Sequence, residues 1–333
     1  MHHFTAHQLH FTCEVQTPIL LNEHQGSAIR GALFNALRSR FCFQRQLKDC
    51  GECALWTTCP ICFLVATRDP QSERGVEVPR PYTIEPPLSG ETRYEPKETL
   101  EFGLTMFAQA LNLFPYVVLA SQALERGGLG KRINQAASRE GKRLRGTFMI
   151  RQIAAVNPLT GERQPVLRQG DNLVQVPDVP VTHQQVLQRA DQLMAQTTDH
   201  LTIHLLTPTR LIQQGHLVKG GQVSFAVFFH RLMERLESLT ARYSDTPLGS
   251  EWRALLPLAD QVETVEDRTH WLELESYSTR KQGRTPIGGL VGQVIFRADN
   301  WSPFLPWLVW GQFVHVGKDA VKGNGWYNIN LGV

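Results

Sequence analysis

The stretch Leu201-Thr-Ile-His-Leu-Leu206, followed by Phe225-Ala-Val-Phe-Phe-His-Arg-Leu-Met-Glu-Arg-Leu-Glu-Ser-Leu-Thr-Ala-Arg-Tyr243, decides the fold. The first piece reads as a strand. In the second, Phe228, Leu232, Leu236 and Leu239 recur every third or fourth residue, which gives a helix with one buried stripe. Further on, 271–277 and 290–296 alternate as strands. Residues 304–310 form a short apolar helix, and 315–330 read as a glycine-punctuated hairpin. Strand, helix, strands, helix, strand is the order of a ferredoxin-like unit.

The same order precedes it. Leu9, Phe11, Cys13 and Val15 share one face of a half-buried strand. After a loop with Pro18 and Gly26, residues 27–41 carry a helical stripe of Ile29, Leu33, Phe34 and Leu37, with Ser27 as its N-cap. Residues 68–94 are rich in proline and polar side chains and read largely as loop, 99–107 alternate, and 114–126 form a helix ending at Gly127-Gly128. The strands 147–156 and 165–176 flank Asn157-Pro-Leu-Thr-Gly161, a hairpin signal. The polar stretch 177–198 reads as a connection. The expected fold is α+β: two tandem ferredoxin-like (RRM-like) domains, 1–176 and 199–333, with a small cysteine-rich metal knuckle, 42–66, inserted in the first. A length of 333 residues agrees, at about 150 per domain.

Composition excludes several classes. At 42% hydrophobic and 20% charged, the chain is an ordinary globular sequence, not a disordered or fibrous one. Its most apolar stretch, 304–316, is broken by Pro306 and too short to span a bilayer. No secretory leader is visible, so the expected location is the cytoplasm. Net charge is only +3, but its distribution is uneven. The segment 131–151 holds Lys131, Arg132, Arg139, Lys142, Arg143, Arg145 and Arg151 against Glu140 alone. A second basic group is Arg280, Lys281 and Arg284, and a third is Lys318 and Lys322. All three adjoin glycines, where a backbone can closely approach a ligand.

Five of the six cysteines fall within 21 residues: Cys42, Cys50, Cys53, Cys59 and Cys62. Cys50-Gly-Glu-Cys53 and Cys59-Pro-Ile-Cys62 each present two thiolates from one tight turn, and two such turns can close a tetrahedron around zinc. An iron–sulfur cluster also takes four thiolates, and buried free thiols or disulfides are the remaining readings. Cys50, Cys53 and Cys59 are the firmest ligands; the fourth is Cys42 or Cys62. Four thiolates leave no open position, so the metal is structural, not catalytic. Cys13 is a core residue.

The motif Val316-Gly-Lys-Asp-Ala-Val-Lys-Gly-Asn-Gly-Trp-Tyr327 places Gly317, Gly323 and Gly325 beside Lys318 and Lys322. It is not a Walker loop, because no Gly-Lys-Ser/Thr follows a four-residue gap. Together with His315 it resembles the C-terminal glycine-rich loop of the RAMP superfamily of CRISPR proteins, and more narrowly the CRISPR-associated protein six family. Leu205-Leu-Thr-Pro-Thr-Arg210 with Gly215-His-Leu-Val218, and Glu275-Ser-Tyr-Ser-Thr-Arg280 ahead of Gly288-Gly-Leu-Val-Gly292, resemble that family's C-terminal strands. Ile29-Arg-Gly-Ala-Leu33 followed by the cysteine knuckle resembles a subgroup with a cysteine-rich insertion. The likeness runs from about residue 9 to 330 and is most specific after residue 200.

The resemblance implies a metal-independent endoribonuclease that cuts CRISPR repeat precursor RNA into guide RNA and stays with the guide among other CRISPR effector-complex subunits. The 2′-hydroxyl attacks the adjacent phosphate, leaving a 2′,3′-cyclic phosphate and a 5′-hydroxyl. A base must take the 2′-OH proton, an acid must protonate the leaving oxygen, and cations must stabilise the phosphorane. The family places its base near the first helix, where His24 is the histidine at hand; His315 is the rival. His7 and His10 read as structural or surface residues, and the spacing of His200 and His204 on a strand makes no metal site. Arg30 and Lys318 are the candidates for phosphorane stabilisation. RNA would be gripped by Arg139, Lys142, Arg143 and Arg145, by Arg280, Lys281 and Arg284, and by Gly317, Lys322, Gly323 and Gly325 of the loop. Two other classes stand beside this one: a guide-RNA-binding scaffold that does not cut, and, on the cysteines alone, a thiol–metal redox protein.

Overall fold

The computed structural model describes residues 1, 3–47, 50–68, 78–134, 143–196, 198–278 and 283–331. The chain forms two compact units: His7–Pro180, and Val181–Val333 together with Met1–Ala6.

In the N-terminal unit, β1 (Ala6–Val15) buries Leu9, Phe11, Cys13 and Val15 at 2% exposure or less, as its alternation predicts. Helix α1 (Gly26–Phe41) lays Ile29, Ala32, Leu33, Ala36 and Leu37 on the core. Phe34, expected in that stripe, is only half-buried, on the flank beneath the Arg30 guanidinium 5.2 Å away. The N-cap position is Gln25, not Ser27, and no side chain caps the helix. Gln25 instead turns inward, donating from Nε2 to the Glu91 carbonyl at 2.5 Å and the Tyr94 hydroxyl at 3.2 Å. Then follow β2 (Tyr82–Glu85), β3 (Thr99–Phe107), α2 (Phe114–Gly127), the small hairpin β4 (Leu129–Ile133) and β5 (Leu144–Gly146), β6 (Phe148–Asn157) and β7 (Glu162–Arg168). The sheet runs β2-β3-β1-β6-β7. Without the added edge strand β7, this is second-third-first-fourth, the ferredoxin-like order. Phe11 of β1 stacks on Phe102 of β3 at 4.7 Å. The 157–161 turn forms as expected, with Asn157 Oδ1 accepting from the Leu159 and Thr160 amides.

Strand β2 refines the reading of 68–94 as largely loop. All four of its residues are buried, so there is no period-two signal, and Pro81 and Pro86 bracket it as they would a turn. It also brings a carboxyl inside. Glu85 is 5% exposed and accepts from the Thr105 hydroxyl at 2.6 Å. Its register partner is Gly103, where a Cβ would lie 2.2 Å from Glu85 Oε2. Burial outweighs these hydrogen bonds and pushes the Glu85 carboxyl up to about 7.

The C-terminal unit begins with a correction. The supposed connection 177–198 contains helix α3 (His183–Met194), opened by a reciprocal cap: Thr182 Oγ1 accepts from the Gln185 amide, and Gln185 Oε1 from the Thr182 amide. Val186, Ala190 and Leu193 form its buried stripe, and it packs on α5. The remaining elements are β8 (His200–Thr209), α4 (Phe225–Tyr243), β9 (Glu263–Asp267), β10 (His270–Leu272), the hairpin β11 (Glu275–Ser278) and β12 (Gly283–Pro286), β13 (Gly289–Arg297), α5 (Leu305–Val314) and β14 (Tyr327–Leu331). The sheet order β9-β13-β8-β14 repeats the second-third-first-fourth pattern, with β10 also on β13. The fold is thus α+β with two tandem ferredoxin-like units. On α4, Phe228, Leu232, Leu236 and Leu239 are fully buried, each contributing about 1.5–3 kcal/mol. Phe225 sits within 5.0–5.7 Å of Phe229, Phe296, Trp301 and Phe304. The first six residues belong here, since Ala6 and Val181 exchange backbone hydrogen bonds and Phe4 packs on Trp310. No described helix is long and apolar enough to cross a membrane.

Candidate nucleic-acid interface

Residues 315–330 form one loop and one strand, not the hairpin expected. His315 ends α5 at φ +61°, and the loop then closes on itself through the Val316 amide and the Gly325 carbonyl at 2.9 Å. The Gly325 amide donates to the Pro208 carbonyl at 3.0 Å, which seats the loop at the end of β8. Two glycines are required by this closure. Gly317 has φ +79°, and a Cβ there would lie 2.4 Å from the Arg210 carbonyl oxygen; Gly325 has φ +74° and would clash with the Val316 carbonyl at 1.8 Å. Gly323 and Gly325 are buried, and the smallness of Gly325 serves the loop's own backbone.

The loop's polar groups are interlocked. Lys322 Nζ pairs with Asp319 at 2.8 Å, and Arg210 lies 3.9 Å from the same carboxylate while donating to the Pro286 carbonyl at 2.6 Å. Asn324 Nδ2 donates to the Ile287 carbonyl at 2.8 Å. Arg210 and Asn324 thereby tie the glycine-rich loop to the root of the β11–β12 hairpin. Neither residue stood out in the sequence, nor did Asp319. Lys318 is exposed and pairs with no described residue. His315 is fully buried, its Nδ1 3.1 Å from the Asn324 carbonyl, and it stacks on Trp326. On the hairpin, Arg284 is 78% exposed and pairs with Glu275 at 3.1 Å, an ion pair worth at most about 1 kcal/mol. Arg280 and Lys281 lie outside the described residues.

In the N-terminal unit, the β4–β5 hairpin rests on the loop that follows β1. A Cβ on Gly130 would lie 2.2 Å from the Leu20 carbonyl oxygen, and one on Gly146 2.2 Å from that of Pro18. The hairpin carries Lys131, Arg132 and Arg143 exposed and Arg145 half-buried, and none of the four pairs with a described acid. Arg151, by contrast, is neutralised by Glu14 at 2.5 Å. Arg139 and Lys142 lie outside the described residues. The supporting loop leads into His24, which is 7% exposed between exposed Glu23 and buried Gln25. Arg30 donates to the Val65 carbonyl at 3.4 Å and lies over Phe34. His24 and Arg30 belong to this unit, and Lys318 to the other.

Cys42, Cys50, Cys53, Cys59 and Cys62 all line one cavity of about 460 Å³, with Phe41 and Tyr116 among its walls. Cys62 Sγ hydrogen-bonds with Cys50 and Cys59, and these interactions, with burial, push its thiol well above the usual range. All six cysteines are free, and Cys13 is buried in the core as expected. Among the described residues, no three His, Cys, Asp or Glu side chains are arranged to hold a metal ion.

Residues 203–327 match the family model of the CRISPR-associated endoribonuclease Cas6, and residues 4–179 match that of the AF_1859_N N-terminal domain. No curated protein matches. Among solved structures, the chain is similar to Thermus thermophilus Cas6 at 13% identity, covering 98% of each chain with a TM-score of 0.53. It is similar to a Cas6 product complex at 15% identity, covering 97% of this chain and 98% of that one, with a TM-score of 0.51. A partial Cas6-RT-Cas1–Cas2 complex aligns at 11% identity and a TM-score of 0.60, over 99% of this chain. This chain spans only 46% of the length of that one. At such identities the likeness to these structures establishes the fold.

Proposed function

We propose that the chain, whose residues 203–327 match the Cas6 family of CRISPR-associated endoribonucleases, binds CRISPR repeat precursor RNA and cleaves it to release guide RNA. The observation that carries this is the glycine-rich loop locked at the end of β8, within the region matching the endoribonuclease model, with Lys318 exposed at its tip. The cations of the β4–β5 hairpin, which pair with no described acid, supply a second RNA-facing surface. They meet phosphates, which makes their grip sequence-independent and salt-sensitive.

In the reaction as proposed, His24 takes the 2′-OH proton and the 2′-oxygen attacks the adjacent phosphate. The leaving 5′-oxygen collects a proton, and a 2′,3′-cyclic phosphate and a 5′-hydroxyl result. Arg30, in the same unit as His24, offsets the developing negative charge. None of these roles needs a metal ion, and the dependence on the 2′-OH spares DNA. At 7% exposure His24 is buried, so substrate must press against the 22–25 loop or shift it. The same burial favours a second reading, in which the chain holds guide RNA among other CRISPR effector subunits without cutting. Incubation with cognate repeat RNA in EDTA separates the two. A cyclic-phosphate product supports the nuclease, and tight binding without product supports the scaffold.

We also propose that the cysteine cavity holds a structural zinc ion. The donor set fits, with sulfur ligands around one cavity, and the hydrogen bonds of Cys62 with Cys50 and Cys59 favour it over Cys42 as a ligand beside Cys53. Bound zinc would stabilise thiolates that otherwise repel, and so fasten the 42–66 insertion to α1.

A further inference from the structure

Within the glycine-rich loop, one acid stands among three cations. Asp319 sits in the left-handed region at φ +64°, which costs a side chain other than Gly, Asn or Asp dearly. That conformation turns its carboxylate back over the loop, 2.8 Å from Lys322 Nζ and 3.9 Å from Arg210. All three side chains remain 17–25% exposed. A carboxylate bridging a lysine and an arginine presents the same charge and oxygen geometry that a backbone phosphate would present to them.

We propose that Asp319 is a specificity-determining residue: its carboxylate occupies Lys322 and Arg210 as an internal stand-in for an RNA phosphate, so that only an RNA held by other interactions displaces it. This rests on the RNA-binding assignment above. A tethered carboxylate competes at high effective concentration, whereas a stray phosphate arrives alone. Binding of arbitrary RNA is therefore suppressed more than binding of the cognate repeat, whose phosphate is delivered by further interactions. Lys318 lies outside the network and meets the RNA first.

The test compares Asp319→Asn with the wild type in binding repeat RNA and a scrambled single strand across a salt series. Asn suits the left-handed backbone and removes only the charge; Asp319→Gly suits it equally and removes the side chain. Both variants should bind scrambled RNA roughly 5-fold more tightly, with a smaller gain for the repeat. The slope of log affinity against log salt should steepen by about 0.7 for each cation released to the RNA. Unchanged slopes, or weaker binding by both variants while the wild type binds the repeat, would show Asp319 to be only a loop brace and overturn the proposal alone. A wild type that binds neither RNA overturns both the proposal and the RNA-binding assignment.

Discussion

Replacing Glu85 by Gln should stabilise the protein at alkaline pH and leave it nearly unchanged in acid. Glu85 is buried in the N-terminal sheet, with Thr105 as a donor and Gly103 making room for it. Its carboxyl rises from 4.5 to about 7, mainly through desolvation. At about 1.36 kcal/mol per pH unit, ionising it inside the fold costs about 3 kcal/mol. The sign follows from proton counting. Between pH 4.5 and 7 the folded chain binds more protons at this site than the unfolded one. Its contribution is complete below 4.5, is lost as pH rises to about 7, and stays flat above. Gln keeps the shape without the charge, so the variant should exceed the wild type by up to about 3 kcal/mol near pH ~8 and by little near pH ~4.5. Thermal unfolding at both pH values measures this, at about 2–4 °C per kcal/mol for a unit of this size. A variant no more stable than the wild type in alkali, or one equally displaced at both pH values, would refute the buried-carboxylate account.

Arg143→Ala with Arg145→Ala should lower repeat-RNA affinity and flatten its salt slope by about 0.7 for each phosphate no longer neutralised, read by filter binding across a salt series; an unchanged slope refutes their role. Gly325→Ala places a methyl 1.8 Å from the Val316 carbonyl, so the loop should open and RNA affinity fall, while the alanine at φ +74° costs on the order of 1–3 kcal/mol in unfolding experiments. Purified protein should carry about one zinc per chain by plasma mass spectrometry, Cys59→Ser should lose it, and a chelator should lower the melting temperature. Metal-free protein with an unshifted melting temperature would leave the cysteines as buried thiols.

Much of the fold was legible because burial and periodicity coincided. The alternation of Leu9, Phe11, Cys13 and Val15, the stripe of Phe228, Leu232, Leu236 and Leu239, and the turn at Asn157 all carried their own signals. Strand β2 did not, because Tyr82–Glu85 is buried on both faces and so lacks alternation. Helix α3 did carry one, the Thr182-to-Gln185 cap, but its polar exposed face masked the short stripe of Val186, Ala190 and Leu193. The glycine-rich loop was legible as a motif, whereas its wiring was not. Arg210, Asp319 and Asn324 acquire their roles from partners far away in the chain, or from a left-handed backbone that composition does not announce. His24 shows the converse: its neighbours in the sequence are polar, yet it is only 7% exposed.

The most direct test is single-turnover cleavage of the cognate repeat in EDTA by the wild type and by His24→Ala. The account predicts a single cut with a 2′,3′-cyclic phosphate from the wild type, and intact, still-bound RNA from the variant. Undiminished cleavage by His24→Ala, or no product from a wild type that binds the repeat, would contradict it.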